Sequence, residues 1–324
     1  MIYYLFNASN HKYIAFAGII FAFAITCISL YSLGKLLPKD MGRDFAHNGK
    51  LSAGKPRGAG FLFIIVFIIS ALLFIPIQRE IIVYLIYTAA AMITGFLDDC
   101  SKTPWGEYKK GFLDLIIAIA LAVSYLRFNT STINLEPFGG NVTIPPVLFV
   151  ILAVILIWVS INVTNCSDGV DGLSGFLSIV TLMTIFFIYE IKGIAGDFSY
   201  LILLFCMCIL AYLWYNITPS IMMMGDAGSR AMGIFISIAI IKSGSPLLYI
   251  PVAFVLILDG GLGLLKVALL RFLKIRILRN VKTPLHDHVR KAWGWSNTQV
   301  MFRFATIQVL ISIAVIYMMM IIYG

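Results

Sequence analysis

The chain has 324 residues, 60% of them hydrophobic and only 12% charged, against about 25% charged in a soluble domain. No soluble globule hides that much apolar side chain, so the solvent along most of the chain is lipid. The formal net charge of +9 reflects basic loops flanking membrane segments; no basic face interleaved with aromatics points to nucleic acid, and none is expected as a partner.

Apolar runs of roughly 17–25 residues place ten helices, near 13–34, 58–77, 81–97, 111–127, 146–163, 173–191, 199–215, 229–243, 246–272 and 300–323. The expected fold is therefore all-α: an integral membrane protein of about ten transmembrane helices, in one polytopic domain covering residues 1–324. The first run, Tyr13 to Gly34, is too long for the apolar segment of a signal peptide. Between the fourth and fifth helices, Ile133 to Ile144 holds two short alternating stretches around Phe-Gly-Gly-Asn, which predicts a small β-hairpin on the outer side. The five Cys read as small buried hydrophobes or loop thiols, with no metal-ligating pattern.

Loops after the first, third, fifth, seventh and ninth helices, with their flanks, hold 19 of the 24 Lys and Arg. By the positive-inside rule these loops face the cytoplasm, and an even helix count puts both termini outside. The same loops hold nearly every residue suited to chemistry.

Asp98 and Asp99 end the third helix, in Gly95-Phe-Leu-Asp-Asp-Cys-Ser-Lys102. A helix C-terminus disfavours carboxylates, so the pair is either solvated at the membrane surface or a cation site or base, with Lys102 beside it as a phosphate ligand. The next such loop, Asn162-Val-Thr-Asn165-Cys-Ser-Asp168-Gly-Val-Asp171-Gly-Leu, has no Lys or Arg. Its Asn-Asp-Gly content allows tight turns and close ligand approach, although Asp171 also suits a cap of the sixth helix. Asp226 lies in Met224-Gly225-Asp226-Ala-Gly228-Ser229-Arg230, where a Gly-rich turn before a helix presents N–H groups to phosphate. Asp226 is either the N-cap or a ligand of Mg²⁺, which takes one or two carboxylates and completes its shell with substrate oxygens. The last such loop carries His286-Asp287-His288 among Arg290, Lys291, Trp293 and Trp295; too few ligands accompany the His pair for Zn²⁺, and a phosphate-binding or hydrogen-bonding role suits it better. Within apolar runs, Asp259 and Lys266 are seven residues apart on one helix face and are expected either to pair at a kink or to serve function; Asp114 is equally open.

Gly95 to Lys102, Asn162 to Leu173, Asn216 to Gly233 and Pro284 to Trp295, in that order, resemble the motifs of the polyprenyl-phosphate N-acetylhexosamine-1-phosphate transferases, and the resemblance spans nearly the whole chain. The Pro-Leu-His-x-His…Gly-Trp string is most similar to the branch that handles phospho-MurNAc-pentapeptide. The resemblance implies ten spans, a cytoplasmic active site in a bacterial plasma membrane, and Mg²⁺-dependent transfer of phospho-MurNAc-pentapeptide from UDP-MurNAc-pentapeptide to undecaprenyl phosphate, giving lipid I and UMP. It assigns Asp98 and Asp99 to the lipid phosphate, Asp226 to Mg²⁺ at the diphosphate, and Asn165, Asp168 and Asp171 to the nucleotide side. It gives His286 and His288 to the phosphates or sugar. Lys50, Lys102, Asn162, Asn216 and Gly225 fall in or beside the substrate-binding motifs. A homodimer and competition by nucleoside antibiotics such as tunicamycin are also implied. The chain departs from the pattern in three places. Asp287 stands where the family has the middle of three His. The loop Gly54-Lys-Pro-Arg-Gly-Ala-Gly60 replaces Gly-Thr-Pro-Thr-Met-Gly-Gly. Met223 occupies a position that is commonly aromatic.

Two other functions compete. A transferase using UDP-GlcNAc would share the fold but carry a different His-rich string in the last cytoplasmic loop. A transporter or flippase would place its ionisable groups at the membrane midplane, where only Asp259 and Asp114 qualify.

Overall fold

A computed structural model describes residues 11–42, 52–136 and 138–324. Each of the ten apolar runs becomes helical: α1 (His11–Leu33), α2 (Ala59–Phe74), α3 (Arg79–Asp99), α4 (Glu107–Tyr125), α5 (Pro146–Cys166), α6 (Leu173–Ile191), α7 (Asp197–Asn216) and α8 (Gly225–Lys242), the broken pair α9 (Pro246–Val252) and α10 (Phe254–Leu273), and finally α12 (Asn297–Tyr323). The expected hairpin is present, β1 (Thr132–Asn134) pairing antiparallel with β2 (Asn141–Thr143) in the register Thr132↔Thr143, Ile133↔Val142, Asn134↔Asn141.

Among the described residues, six helices are long and apolar enough to cross a membrane, and the bent pair makes up to seven. The chain is a multi-pass membrane protein. Large apolar side chains such as Phe16, Ile28, Ile155, Leu310 and Ile313 lie exposed around the bundle, as lipid solvation demands and water does not tolerate in extended patches. Three helices fall outside that count for evident reasons. Helix α2 has only 16 residues; α4 carries Glu107, Lys109, Lys110 and Asp114; α8 carries Asp226, Arg230 and Lys242.

Two expectations about elements change. The run 246–272 is not one straight helix: it bends by 74° between Val252 and Phe254, and wide-turn segments at Ile257–Gly261 and Leu269–Leu273 follow. Such single-turn bulges commonly mark functional or bent positions in helices. The last loop, moreover, contains a short helix, α11 (Leu285–Trp293), whose start coincides with His286.

Helix α8 is the axis of the bundle, and every residue from Gly225 to Ile241 is buried. Helices α3 and α5 make the most extensive contacts with it, and α2 and α6 also pack there. Between lipid-solvated helices, association rests on close packing and small residues rather than on exclusion of water, and the glycines of α8 fit that need. At one end of the bundle Lys242 Nζ sits 2.8 Å from Glu80 Oε1 beside Asn129, and Lys192 Nζ 3.2 Å from Glu136 Oε1. The other end, where α3 finishes and α8 starts, holds the acidic cluster.

Candidate active site

Helix α3 ends beside the first turn of α8, which brings Asp98 and Asp99 against Asp226. Asp99 accepts backbone hydrogen bonds from Asp226 N at 3.1 Å and Ala227 N at 3.0 Å. A carboxylate disfavoured by the C-terminal dipole of its own helix thus sits at the N-terminus of another, where the dipole and two orphan N–H groups favour it. The N–H groups that the sequence suggested for phosphate are therefore taken by Asp99, and Asp226 is not the N-cap, which is Met224. Two glycines permit the approach. A Cβ on Gly225, whose φ is +70°, would lie 2.2 Å from Asp99 Oδ2, and one on Gly95 would lie 2.3 Å from the Asp226 carbonyl oxygen.

Two cations cover the carboxylates. Lys110 Nζ, from the first turn of α4, lies 2.5 Å from Asp98 Oδ2 and 2.8 Å from Asp226 Oδ2; Asp98 Oδ1 accepts from Trp105 N at 2.7 Å. Arg57 donates from Nε to Asp99 Oδ1 at 2.8 Å, from Nη1 to Asp40 Oδ1 at 3.2 Å and from Nη2 to Asp226 Oδ1 at 3.5 Å. Burial opposes its charge, but the Asp99, Asp226 and Asp40 carboxylates outweigh that and hold the guanidinium pKa above its ordinary value. The layering is clear from exposure: the Asp99 and Asp98 side chains are 0% and 2% exposed, Arg57 15% and Lys110 25%. Behind this layer Arg230 pairs with Asp114 in full burial and donates to the Lys110 carbonyl at 3.1 Å, tying α4 to α8. Asp114, open in the sequence, is thus a structural partner.

The Asn-Asp loop lies next to this cluster. Asn165 donates to Ser229 Oγ at 2.8 Å, one turn along α8 from Asp226. Asp171 accepts from Ser220 N at 3.3 Å and Ser220 Oγ at 2.8 Å, and Lys55 Nζ donates to the same hydroxyl at 3.1 Å. Asp171 therefore does not cap α6; Gly172, in the left-handed region, holds that position. Asp168 is half-buried in the same loop. Asn216 and Asn162 have their amides engaged by backbone groups. Asn216 accepts from Gly172 N at 2.9 Å and donates to the Met222 carbonyl at 2.9 Å. Asn162 donates to the Trp158 carbonyl at 2.8 Å.

The break in the ninth run delivers Asp259 to α11. Asp259, fully buried, accepts from His286 N at 2.8 Å and holds His286 Nδ1 at 2.8 Å. Since the carboxylate only accepts, Nδ1 carries the proton and Nε2 points away, towards Gly169, where a Cβ would lie 2.2 Å from it. Of the two readings open for Asp259 and Lys266, the pair does not form: Lys266 turns to the carbonyls of Leu278 and Val281 at 3.1 and 2.8 Å. Arg290 donates to the Gly169 carbonyl at 3.3 Å and pairs with Asp287, which also holds Lys291 at 2.9 Å. Burial raises the Asp287 pKa, but the hydrogen bonds from Lys291 and Arg290 more than offset it and bring the pKa below its usual value. His288 does not join the cluster: its ring lies edge-on to Trp293, centroids 5.8 Å apart, and Nδ1 accepts from Lys282 N at 3.4 Å. Lys102 is exposed, and Lys50 lies outside the described residues.

Among the described residues no group of three or more His, Cys, Asp or Glu forms a ready-made metal cage. Sequence reasoning missed Arg57, Lys110 and Asp40 as members of the cluster. Lys110 is twelve residues beyond Asp98 and lacks a motif; Arg57 carried the clearer signal, as a charge in a loop that departs from the family pattern.

The family model for glycosyl transferase family 4 matches residues 81–244, the segment from the start of α3 to just past α8. A phospho-N-acetylmuramoyl-pentapeptide-transferase of Treponema pallidum (strain Nichols) is 39% identical over 319 residues, covering 93% of this chain and 87% of the relative. Proteins of the same name from Kosmotoga olearia and Nitratiruptor are 28% and 26% identical, over 82% and 94% of this chain and 84% and 95% of theirs. With its acidic cluster built from the two ends of the matched segment, the chain belongs to glycosyl transferase family 4 and, within it, to the phospho-N-acetylmuramoyl-pentapeptide-transferases.

Proposed function

We propose that the protein transfers phospho-MurNAc-pentapeptide from UDP-MurNAc-pentapeptide to undecaprenyl phosphate, giving lipid I and UMP, as a membrane enzyme of peptidoglycan synthesis. The observation that carries this reading is the meeting of Asp98, Asp99 and Asp226 under Lys110 and Arg57, in a chain 39% identical to a transferase of that name. An oxygen of the acceptor phosphate forms a bond to the sugar-linked phosphorus of the donor, and the bond between the two donor phosphates breaks as UMP leaves. One phosphoanhydride replaces another, so the difficulty is bringing anionic phosphates together rather than supplying driving force.

The donor set suits Mg²⁺. Asp98 and Asp226 direct one oxygen each at a single cation position, now taken by the Lys110 ammonium. Asp40, Asp98, Asp99 and Asp226 against Arg57 and Lys110 leave two negative charges, which one divalent ion balances. Mg²⁺ takes one or two carboxylates and completes its shell with water and phosphate oxygens, so the lack of a three-ligand cage is no obstacle. When bound, the ion would neutralise charge on the diphosphate. The chain's own residues do the rest. Asp226 and Asp98 would hold the cation, and Asp99 fixes the start of α8, and with it the Asp226 carboxylate. Lys110, which bridges the same two carboxylates, would yield that position and turn to phosphate. His286, oriented by Asp259, offers Nε2 at the side of the Asp168–Asp171 loop where the nucleotide or sugar would lie.

Counting α2, α4, α8 and the bent pair with the six helices that are long and apolar enough to span gives ten spans, with the site on the cytoplasmic face, both termini outside and the membrane that of a bacterium. The steep asymmetry of Lys and Arg supports this orientation. Binding of tunicamycin in the nucleotide pocket and a homodimeric state follow from the same family reading.

The test is UMP release by the purified protein in detergent with undecaprenyl phosphate and Mg²⁺, comparing UDP-MurNAc-pentapeptide with UDP-GlcNAc, and with Asp226→Ala as control. Release with the pentapeptide donor alone, abolished in the variant, is expected. Release from UDP-GlcNAc instead would move the protein to another pathway, and release from neither by folded protein would overturn the transferase reading.

A further inference from the structure

We infer that Arg57 is a phosphate-binding residue of this chain, donating to an oxygen of a substrate phosphate at the acidic cluster. The inference rests on the transferase reading and goes beyond it, because the family pattern has an uncharged Thr at this place in the loop.

Four observations carry it. The backbone fixes the residue: Arg57 N donates to the Pro38 carbonyl at 2.8 Å, Met223 N to the Pro56 carbonyl at 2.8 Å, and Ala59 N to the Met223 carbonyl at 3.0 Å. Arg57 thus stands on a strap between the end of the first helical segment and the turn that leads into α8. Its guanidinium reaches carboxylates from three separate segments, Asp40, Asp99 and Asp226. Asp99 also has two backbone donors, so Arg57 is not its sole hydrogen-bond partner. Finally, the cations form the outer layer: Arg57 and Lys110 are more exposed than the carboxylates beneath, so an arriving phosphate meets them first.

The chemistry suits phosphate. A guanidinium has five N–H donors in a planar fork that matches two phosphate oxygens. Three of the five are used on carboxylates, one of them at a long 3.5 Å. The bond to Asp226 is the weakest of the three, so Nη2 is the donor most readily turned to a phosphate oxygen while Nε stays anchored on Asp99.

The experiment compares wild type, Arg57→Thr and Arg57→Lys for kcat and for KM of each substrate, and measures binding of UDP and of uridine in EDTA by calorimetry. Hydrogen bonds to charged groups contribute about 1.5–3 kcal/mol each, so Arg57→Thr is expected to lose about 10–100-fold in kcat/KM, with Arg57→Lys recovering part of it as a single-point donor. Loss of UDP affinity with uridine affinity retained places the contact on the donor diphosphate; a raised KM for undecaprenyl phosphate alone places it on the acceptor. Both outcomes support the inference. It is overturned if Arg57→Thr keeps kcat/KM within threefold of wild type for both substrates, or if UDP and uridine affinity fall together with the melting temperature in both variants, which is the mark of a structural ion pair. Wild-type protein that releases no UMP in the same assay would sink the transferase reading itself, a separate result.

Discussion

Replacing Gly95 by Ala tests whether the backbone approach of α3 to α8 builds the site. The added methyl would sit 2.3 Å from the Asp226 carbonyl oxygen, against 3.4 Å for ordinary contact, so about 1.1 Å must be found; its other near neighbours, Asp226 C and Ala227 N, are backbone too and cannot rotate aside. Overpacking of this kind costs about 1–3 kcal/mol. The shift also stretches the 3.1 and 3.0 Å bonds from Asp226 N and Ala227 N to Asp99 beyond hydrogen-bonding range, each worth about 1.5–3 kcal/mol. A misplacement of about 1 Å in a catalytic group costs on the order of 10²-fold in rate. Gly95→Ala is therefore expected to lower the melting temperature in detergent and to cut UMP release by about 100-fold. Gly106→Ala is the control: that glycine has φ −63° and nothing within 4 Å of an added Cβ, so UMP release should stay near wild type and melting should fall only by the small loss of a glycine N-cap. A Gly95→Ala protein with wild-type melting and a rate within threefold would refute the claim that this contact positions Asp226.

Other perturbations probe the remaining parts. Asp226→Ala should release no UMP at any Mg²⁺ concentration, measured across a Mg²⁺ titration; partial rescue at high Mg²⁺ would instead show that Asp98 alone suffices to hold the ion. Asp259→Asn keeps the shape but removes the charge that orients His286 Nδ1, so kcat should fall about tenfold or more while UDP binding by calorimetry is preserved; an unchanged kcat would remove His286 from the chemistry. Asp287→Asn breaks the pairs with Arg290 and Lys291 and should destabilise by about 0.5–1 kcal/mol at neutral pH. Because the folded Asp287 pKa lies below its usual value, that contribution is present above the unfolded value of about 3.9 and lost as pH falls through the folded one. The gap in melting temperature between wild type and variant should therefore close on acidification, and a gap that widens would contradict the assignment.

The apolar runs announced the helices because a membrane span needs only length and hydrophobicity, both of which are local. The motif residues Asp98, Asp99 and Asp226 were legible for a similar reason: carboxylates at the ends of apolar helices have few structural uses. What they do was not. The helix-dipole argument made Asp99 an awkward C-terminal residue, and only the arrival of the α8 N-terminus, invisible in the chain order, turned it into a cap. The face-sharing argument left Asp259 either paired with Lys266 at a kink or functional; the bend and the wide turn at Ile257–Gly261 aim Asp259 at His286, 27 residues away.

By itself, then, the sequence determined the solvent, the helical class, the hairpin and the set of polar residues gathered in alternate loops, since each follows from composition or from spacing along one segment. The tertiary structure decided which of those residues meet. Lys110 and Arg57 gained their place through a helix start and a strap that pack beside α8, Asn162 and His288 were turned to local partners, and Asn216 was turned to the backbone at Gly172. An ion pair or a cap across more than a hundred residues leaves no periodicity in the chain; it exists only when close-packed backbones bring the groups within about 3 Å.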